Sequence, residues 1–168
     1  MSGKISSTDL NVLTSLGATM VPITMPSYPV GGMLSIMAVE AATVFDDLTR
    51  SGGLNLLTTA GGDFATSIRA GHMMSAVDYL QAQRVRTKLI NDMARIYQSV
   101  DLCVMPYAQD NNLAAANLCG LPCVAVPHGN GTSLLFVGNL FEEGEILQAA
   151  KAYQNATPYL EHPPLFRN

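Results

Sequence analysis

The stretch Asn117-Leu-Cys-Gly-Leu-Pro-Cys-Val-Ala-Val-Pro-His-Gly129 decides the fold of this chain, together with the apolar run at residues 134–137. A short Ala-rich helix is predicted over residues 113–118, and the apolar run at residues 123–126 is typical of a strand. The dipeptide Asn130-Gly131 separates the two apolar runs and is a strong signal for a tight hairpin. The two runs therefore predict an antiparallel pair of strands in one sheet.

The start of the chain predicts a helix followed by a strand. Ser6 and Asp9 have the spacing of a capping box, which predicts a short helix that ends at Gly17. Residues 18–25 form an apolar run that stops at Pro26. This run predicts a buried strand.

The middle of the chain predicts helices. Gly31-Gly32 leads into a helical stretch of about 15 residues that ends near residues 51–53. Residues 52–72 are rich in Gly, Thr and Asn and predict an irregular connection, which at this length is usually functional or contains hidden helical turns. Ser75 and Asp78 form a second capping box, from which the longest helix starts. Apolar side chains recur along it at helical spacing, at Val77, Leu80, Leu89, Met93, Ile96 and Val100.

The last third of the chain predicts one more strand and one more helix. The strand covers residues 102–105, and the helix covers residues 141–153, with Asn139 and Glu142 at capping-box spacing. The predicted hairpin requires at least one antiparallel pair of strands. We therefore expect one α/β domain over residues 1–168, with a mixed β-sheet flanked by helices.

The composition indicates a folded domain with fewer charged residues than a solvent-exposed surface usually carries. Hydrophobic residues make up 48% of the 168 residues and the mean hydropathy is +0.21, which excludes a disordered chain. Charged residues make up only 13%, against about 25% in an ordinary soluble domain. We therefore expect some apolar surface to be covered by another molecule. The formal net charge of −4 argues against a nucleic-acid partner.

The sequence also bears on location. No run of residues is long and apolar enough to cross a bilayer, and the N-terminus lacks the apolar segment of a signal peptide. Three cysteines do not make a disulfide framework. We expect a cytoplasmic protein with no membrane partner.

Cys119, Cys123 and His128 raise the question of a metal, redox or nucleophilic site. Three residues separate the two cysteines, whereas a thioredoxin-type motif has two, and a structural zinc site wants four ligands, of which Cys103 would be the fourth. A Cys119–His128 nucleophile lacks an orienting acid nearby in the sequence. We expect no cofactor and no metal, with the cysteines filling small apolar sites beside a turn. An independent cysteine hydrolase is a competing hypothesis, and it predicts activity that is lost when Cys119 or Cys123 is changed to Ala.

Three segments together resemble one known family. They are Ser75-Ala-Val-Asp-Tyr-Leu-Gln-Ala-Gln-Arg-Val-Arg86, Asp101-Leu-Cys-Val-Met-Pro106, and the stretch from Asn117 to Gly129 quoted above. Their order and spacing resemble the C-terminal part of the amidase-signature family, which comprises serine amidases that cleave small amides and includes one component of the tRNA-dependent amidotransferases. The resemblance covers nearly the whole chain. Two features depart from it, because the connection from Pro127 to Ser133 is shorter than usual and Pro106-Tyr107 replaces the usual proline-threonine.

The resemblance implies a mechanism whose catalytic segment is missing from this sequence. In the family, a neutral lysine draws a proton through a bridging serine from a nucleophilic serine in a Gly/Ser-rich stretch. None of Lys4, Lys88 and Lys151 has a serine three residues before it, and no Gly-x-Ser-x-Gly elbow occurs. The resemblance therefore implies the C-terminal portion of an amide hydrolase, without catalytic residues of its own and inactive alone.

Two kinds of partner fit the low charge content. The chain either works when joined or docked to a catalytic N-terminal amidase half, or is a free-standing, non-catalytic module that covers its apolar face as a homo-oligomer. The first alternative predicts no hydrolysis by the chain alone and rescue by the catalytic half. The second predicts a well-behaved homo-oligomer with no amidase-like partner.

The resemblance also implies substrate-binding residues. In the family, the segment that matches residues 106–117 approaches the substrate pocket, so Pro106, Tyr107 and Asn117 are the candidates. A phenol at Tyr107 in place of a small hydroxyl would narrow the pocket or supply a new hydrogen bond. The alternative is structural, with Pro106 ending a strand and Asn117 capping the turn before Gly120.

Overall fold

The computed structural model describes residues 5–57, 62–107, 111–129 and 132–160. The chain divides into two compact units, called here unit 1 (Met1–Ser27 with Leu89–Asn168) and unit 2 (Tyr28–Lys88). The helices are α1 (Ser7–Ser15), α2 (Val30–Met33), α3 (Ser35–Val44), α4 (Asp46–Arg50), α5 (Gly62–Gly71), α6 (Ala76–Ile96), α7 (Asn112–Cys119) and α8 (Glu143–Ala156). The strands are β1 (Leu102–Pro106), β2 (Cys123–Pro127) and β3 (Ser133–Gly138), and two short 3₁₀ helices cover Gly53–Leu56 and Pro158–Leu160.

The sheet of unit 1 has the strand order β1-β3-β2, and both pairings are antiparallel. The predicted hairpin strands are confirmed, although the turn residues Asn130-Gly131 lie outside the described residues. The α/β class is confirmed as well, but the described part of the sheet contains no parallel pair, so it is not the mixed sheet that we expected. All of β3 beyond Ser133 is buried, which is typical of a central strand covered on both faces.

The core of unit 1 forms where α8 packs against β2 and β3. Phe136 and Tyr153 are fully buried there, with their rings 5.6 Å apart, and Leu13 from α1 joins the same cluster. Burial of each large apolar side chain of this kind stabilises the fold by about 1.5–3 kcal/mol. This cluster ties the start of the chain to its last helix.

The start of α8 differs from the prediction. The capping box between Asn139 and Glu142 is absent, because the Asn139 side chain instead accepts a hydrogen bond from the N–H of Leu140 at 2.9 Å. Phe141 has a positive φ of 67°, so the chain turns before the helix begins at Glu143. By contrast, the capping boxes at the N-termini of α1 and α6 are confirmed. Ser6 and Asp9 form reciprocal hydrogen bonds at α1, and two hydrogen bonds join Ser75 to Asp78 at α6.

The strand predicted over residues 18–25 is wrong. Residues 18–29 form neither helix nor strand, and Met20 and Val21 are exposed to solvent. The apolar pattern is that of a strand, but a strand also needs a neighbouring strand to pair its N–H and C=O groups. In the described part of the chain, β1, β3 and β2 do not supply that neighbour.

Unit 2 is built on the packing of α3 against α5. A Cβ atom on Gly71 would collide with the backbone carbonyl of Ala38, so glycine allows the two helices to approach closely. A small core of Ala42, Leu54, Ala65 and Ile68 lies between the elements of this unit. The connection predicted over residues 52–72 contains helical turns, which was one of its two expected forms, since it holds a 3₁₀ helix and α5.

The helix predicted after Gly31-Gly32 is interrupted at Leu34 and Phe45, which separate α2, α3 and α4. The first backbone hydrogen bonds of α3 and α4 start at these residues, from Ala38 N–H to Leu34 C=O and from Thr49 N–H to Phe45 C=O, so each helix begins directly after the interruption. The helical stretch ends, as predicted, before Gly52, whose φ is +77°. Across the described residues, none of the helices combines the length and apolarity that a membrane crossing requires.

Candidate functional site

The predicted substrate-binding residues lie at the end of β1 and on α7. Pro106 is the last residue of β1 and pairs with Leu134, and Tyr107 follows with 45% of its surface exposed. The N–H of Tyr107 donates to the C=O of Ser133 at 3.1 Å, which fixes the backbone just after the end of β1. Asn117 is exposed on α7, and its C=O accepts the N–H of Gly120 at 3.1 Å. The structural role of each residue is visible, whereas substrate binding stays a prediction.

Asn112 is the residue at this site that sequence reasoning missed. It is buried, and its side-chain Nδ2 donates to the C=O of Pro106 at 3.0 Å. This bond ties the first turn of α7 to the end of β1, so it sets where Tyr107 is presented. The preceding residue, Asn111, has a left-handed φ of 58°, which asparagine tolerates better than most residues.

A second polar cluster, the Asp9 network, lies within unit 1. Asp9 is only 1% exposed, and its carboxylate accepts hydrogen bonds from the N–H of Ser6 at 2.8 Å and from the hydroxyl of Tyr153 at 2.8 Å. His128 Nε2 lies 2.6 Å from the same carboxylate, and Nδ1 of that ring lies 3.1 Å from the hydroxyl of Thr132. The network therefore joins α1, the β2–β3 connection and α8.

The hydrogen bonds of His128 place both of its ring nitrogens inside the network. The hydroxyl of Thr132 donates to the C=O of Gly129 at 2.8 Å, and its oxygen lies 3.1 Å from Nδ1 of the ring. The other ring nitrogen, Nε2, faces the Asp9 carboxylate, which can only accept, so Nε2–H donates to it. His128 is therefore held between Asp9 and Thr132.

The Asp9 network shifts the pKa of its members. Burial by itself would raise the pKa of Asp9, but the hydrogen bonds from Ser6, Tyr153 and His128 outweigh it and hold that pKa below its ordinary value. The pKa of Tyr153 is raised, first by burial and then by the bond to the Asp9 carboxylate. Asp9 is thus held as a carboxylate and Tyr153 as a neutral phenol.

The chemistry available to this network is limited by its own hydrogen bonds. Asp9 supplies the orienting acid that the neighbourhood of His128 lacks in sequence, since 119 positions separate the two residues. Both ring nitrogens of His128 are engaged, by Asp9 and Thr132, and the Thr132 hydroxyl donates its proton to the C=O of Gly129 rather than to the ring. The network stabilises unit 1 by joining α1, the β2–β3 connection and α8 through hydrogen bonds.

The cysteines do not form a common site with His128. Cys103 and Cys123 lie on either side of Val137 in neighbouring strands, which places their Cα atoms about 10 Å apart, beyond disulfide reach. His128 follows the far end of β2, about 16 Å along the strand from Cys123. Burial raises the pKa of both Cys103 and Cys123, which disfavours the reactive thiolate. Among the residues that the structure describes, no three His, Cys, Asp or Glu side chains are grouped to hold a metal ion.

The lysines do not form a catalytic base of the family's kind. Lys88 on α6 and Lys151 on α8 are both exposed, and Lys4 lies outside the described residues. The family's chemistry requires a lysine beside a bridging serine in a site that excludes water. The described part of this chain offers no such pair.

The chain is similar to curated proteins over most of its length, although no family model matches it. One relative is the GatA-type component of the glutamyl-tRNA(Gln) amidotransferase of Thermosynechococcus vestitus, which is 25% identical over 92% of this chain and 42% of that protein. The corresponding component from Alcanivorax borkumensis is 33% identical over 52% of this chain and 23% of that protein. The chain thus spans less than half the length of these relatives.

Solved structures share the fold at lower identity. A protein described as an amidase matches with a TM-score of 0.69 and 19% identity, over 88% of this chain and 39% of that chain. A bacterial aryl acylamidase of the amidase-signature enzymes matches with a TM-score of 0.67 and 15% identity, over 95% and 42%. A chain from a vestigial protein complex, connected with the origins of an s-triazine catabolic enzyme, matches with a TM-score of 0.68 and 17% identity, over 88% and 38%.

Proposed function

We propose that this chain is the C-terminal portion of an amide hydrolase of the amidase-signature family and is inactive alone. The observation that carries the proposal is one of coverage. The match takes in 92% of this chain but only 42% of the amidotransferase component, so most of that component has no counterpart here. The sequence also lacks the Ser/Ser/Lys segment on which the family's reaction depends.

The described residues support the inactivity of the isolated chain. Lys88 and Lys151 are exposed, and the Thr132 hydroxyl beside His128 donates to the C=O of Gly129 rather than to the ring. Amide hydrolysis needs a nucleophile activated by a base and a set of donors for the oxyanion. We therefore expect these groups to come from a catalytic half that is joined to this chain or docks on it.

In that assembly, Tyr107 is our candidate for shaping the substrate pocket. It stands exposed at the end of β1, and Asn112 holds the preceding carbonyl of Pro106 in place. A phenol at this point restricts a pocket to narrow amides and offers a hydroxyl to the amide group. We expect Asn117, on the exposed side of α7, to contribute to the same pocket.

The second candidate function is a non-catalytic module that self-associates. The exposed apolar side chains of unit 2 favour some covering molecule, and a second copy is one such cover. This alternative differs from the first in its partner, because it requires no amidase catalytic segment in the cell. We expect either assembly to be cytoplasmic and free of nucleic acid.

The experiment that tests the proposal is affinity purification of the tagged chain from its source cells, followed by an amidase assay on small aryl amides. We expect recovery of a polypeptide with a Gly/Ser-rich amidase segment, hydrolysis by the pair, and none by the chain alone. Recovery of further copies of this chain only, with no hydrolysis, would contradict the proposal in favour of the self-associating module.

A further inference from the structure

An exposed apolar stripe runs along residues 34–48 in unit 2. It is called here the 34–48 stripe, and its exposed members are Leu34, Met37, Val44 and Leu48, with the half-buried Ala41 between them. Met37, Ala41 and Val44 are four and three residues apart within α3, which places them on one side of that helix and is the pattern that pairs helices with one another. Val44 is 75% exposed and Met37 is 55% exposed. The stripe is therefore an apolar helix surface without a cover in this unit.

The other sides of the same helix are already in use. Ile36 and Ala42 are buried, and α3 packs closely on α5 through Gly71. Glu40 accepts hydrogen bonds from Tyr79 at 3.2 Å and Gln83 at 3.3 Å, both on α6. Helix α3 is apolar on nearly every side, which is normal for a helix covered all round. The stripe is the side that remains uncovered.

Aromatic side chains stand at the edge of the stripe. Phe45 follows Val44 directly and meets Phe64 of α5 edge to face, with ring centroids 5.8 Å apart. Both rings are partly exposed. Exposed aromatic rings beside an aliphatic stripe are the side chains that most often anchor a protein interface.

The charges next to the stripe disfavour a second copy as its cover. Glu40 and Asp47 lie seven residues apart along one margin of the stripe. Two copies that paired stripe to stripe in opposite directions would bring these acids towards each other. Like charges at the margin of a helix pair oppose that pairing and select a different partner.

The solved amidases indicate a different cover. They match 88–95% of this chain, while 58–62% of their own length lies beyond the match, since only 42% and 38% are covered in the aryl acylamidase and the vestigial-complex chain. We infer that the 34–48 stripe is the surface against which the catalytic half of an amidase-signature protein packs. This inference rests on the proposed function, and it adds which surface makes the contact.

The test compares two acidic substitutions in the tagged chain. Val44→Glu places a charge in the stripe, and Leu147→Glu places the same charge at a 55% exposed apolar position on α8 of unit 1. Both positions are exposed, so both variants should fold, and circular dichroism with thermal unfolding confirms it. We expect Val44→Glu to reduce the recovered catalytic polypeptide at least tenfold, and Leu147→Glu to leave it within twofold of the unmodified chain.

The possible outcomes distinguish an error in the docking surface from an error in the proposed function. If the unmodified chain recovers a catalytic amidase polypeptide and Val44→Glu recovers as much, the docking surface is wrong while the proposed function stands. If the unmodified chain recovers no such polypeptide, the proposed function fails and the inference fails with it. A photo-crosslinking residue at position 44 gives the direct readout: a crosslink to the catalytic polypeptide supports the inference, and a crosslink to a second copy overturns it.

Discussion

The two units of this chain differ in the size of their buried cores and in how many large apolar side chains they leave exposed. Unit 1 closes a core around Phe136 and Tyr153 and satisfies a buried carboxylate at Asp9 with several hydrogen bonds. Unit 2 has a smaller core and exposes more large apolar side chains, although it is the shorter of the two. The difference leads us to expect that unit 1 contributes more than unit 2 to the stability of the free chain, and it motivates the proposal that unit 2 packs against another part of an amidase.

The largest effect should come from truncating the core of unit 1. Tyr153→Ala removes a fully buried ring that packs on Phe136 and a hydroxyl that donates to Asp9. We expect a loss of about 3–5 kcal/mol in the free energy of unfolding, which urea titration would measure. Tyr153→Phe is the matched control, because it keeps the ring and should lose only about 1–2 kcal/mol. Equal losses for the two variants would show that packing contributes little.

The next effect concerns the Asp9–His128 pair of the Asp9 network. Asp9→Asn keeps the shape of the side chain but leaves the ring of His128 without its carboxylate partner. Breaking one side of a buried pair is costly, and we expect a loss of about 3 kcal/mol in the free energy of unfolding. The double variant with His128→Gln should recover part of that loss. Additive losses from the two substitutions would contradict the pairing.

Acid should weaken unit 1 through the same carboxylate. The pKa of Asp9 is lower in the folded chain than in the unfolded chain, so its contribution to stability is complete at neutral pH. As the pH falls through the folded-state pKa, protonation of Asp9 removes that contribution. We expect urea unfolding to show a steeper acid loss for the unmodified chain than for Asp9→Asn. Parallel pH profiles would exclude Asp9 as the source of the acid sensitivity.

The smallest effect should be in the stripe of unit 2. Val44→Ser removes an apolar side chain that is 75% exposed, so the free chain should change by less than about 0.5 kcal/mol on thermal or urea unfolding. Ala42→Ser, on the buried side of the same helix, is the control and should cost more. A large loss at position 44 would show that the stripe is already covered in the free chain.

Local patterns predicted the elements whose stability is local. The capping boxes at Ser6 and Ser75 and the hairpin strands after Cys123 are fixed by neighbours within a few residues, and all three are confirmed. Asn139 has the same spacing to Glu142, yet its side chain bonds to Leu140 instead. A spacing rule therefore indicates where a cap is possible, while the turn at Phe141 decides whether it forms.

Contacts between residues that are far apart along the chain could not be predicted from the sequence. His128 showed no orienting acid nearby, because Asp9 lies at the other end of the chain and is brought to it by folding. Asn112 carries no distinguishing pattern in the sequence, whereas its side chain donates a hydrogen bond to the C=O of Pro106. Residues 18–25 have the pattern of a strand without a neighbouring strand in the described fold. In each case the pattern was local and the deciding contact was not.

The central claim is that a catalytic amidase half completes unit 2 of this chain. Hydrogen–deuterium exchange of the free chain, and of the chain bound to the recovered catalytic polypeptide, tests it most directly. We predict strong protection of β3 and α8 in both states, with α3 and α4 weakly protected in the free chain and at least tenfold slower to exchange in the complex. Unchanged exchange of α3 and α4 on binding, or full protection of both in the free chain, would contradict the claim.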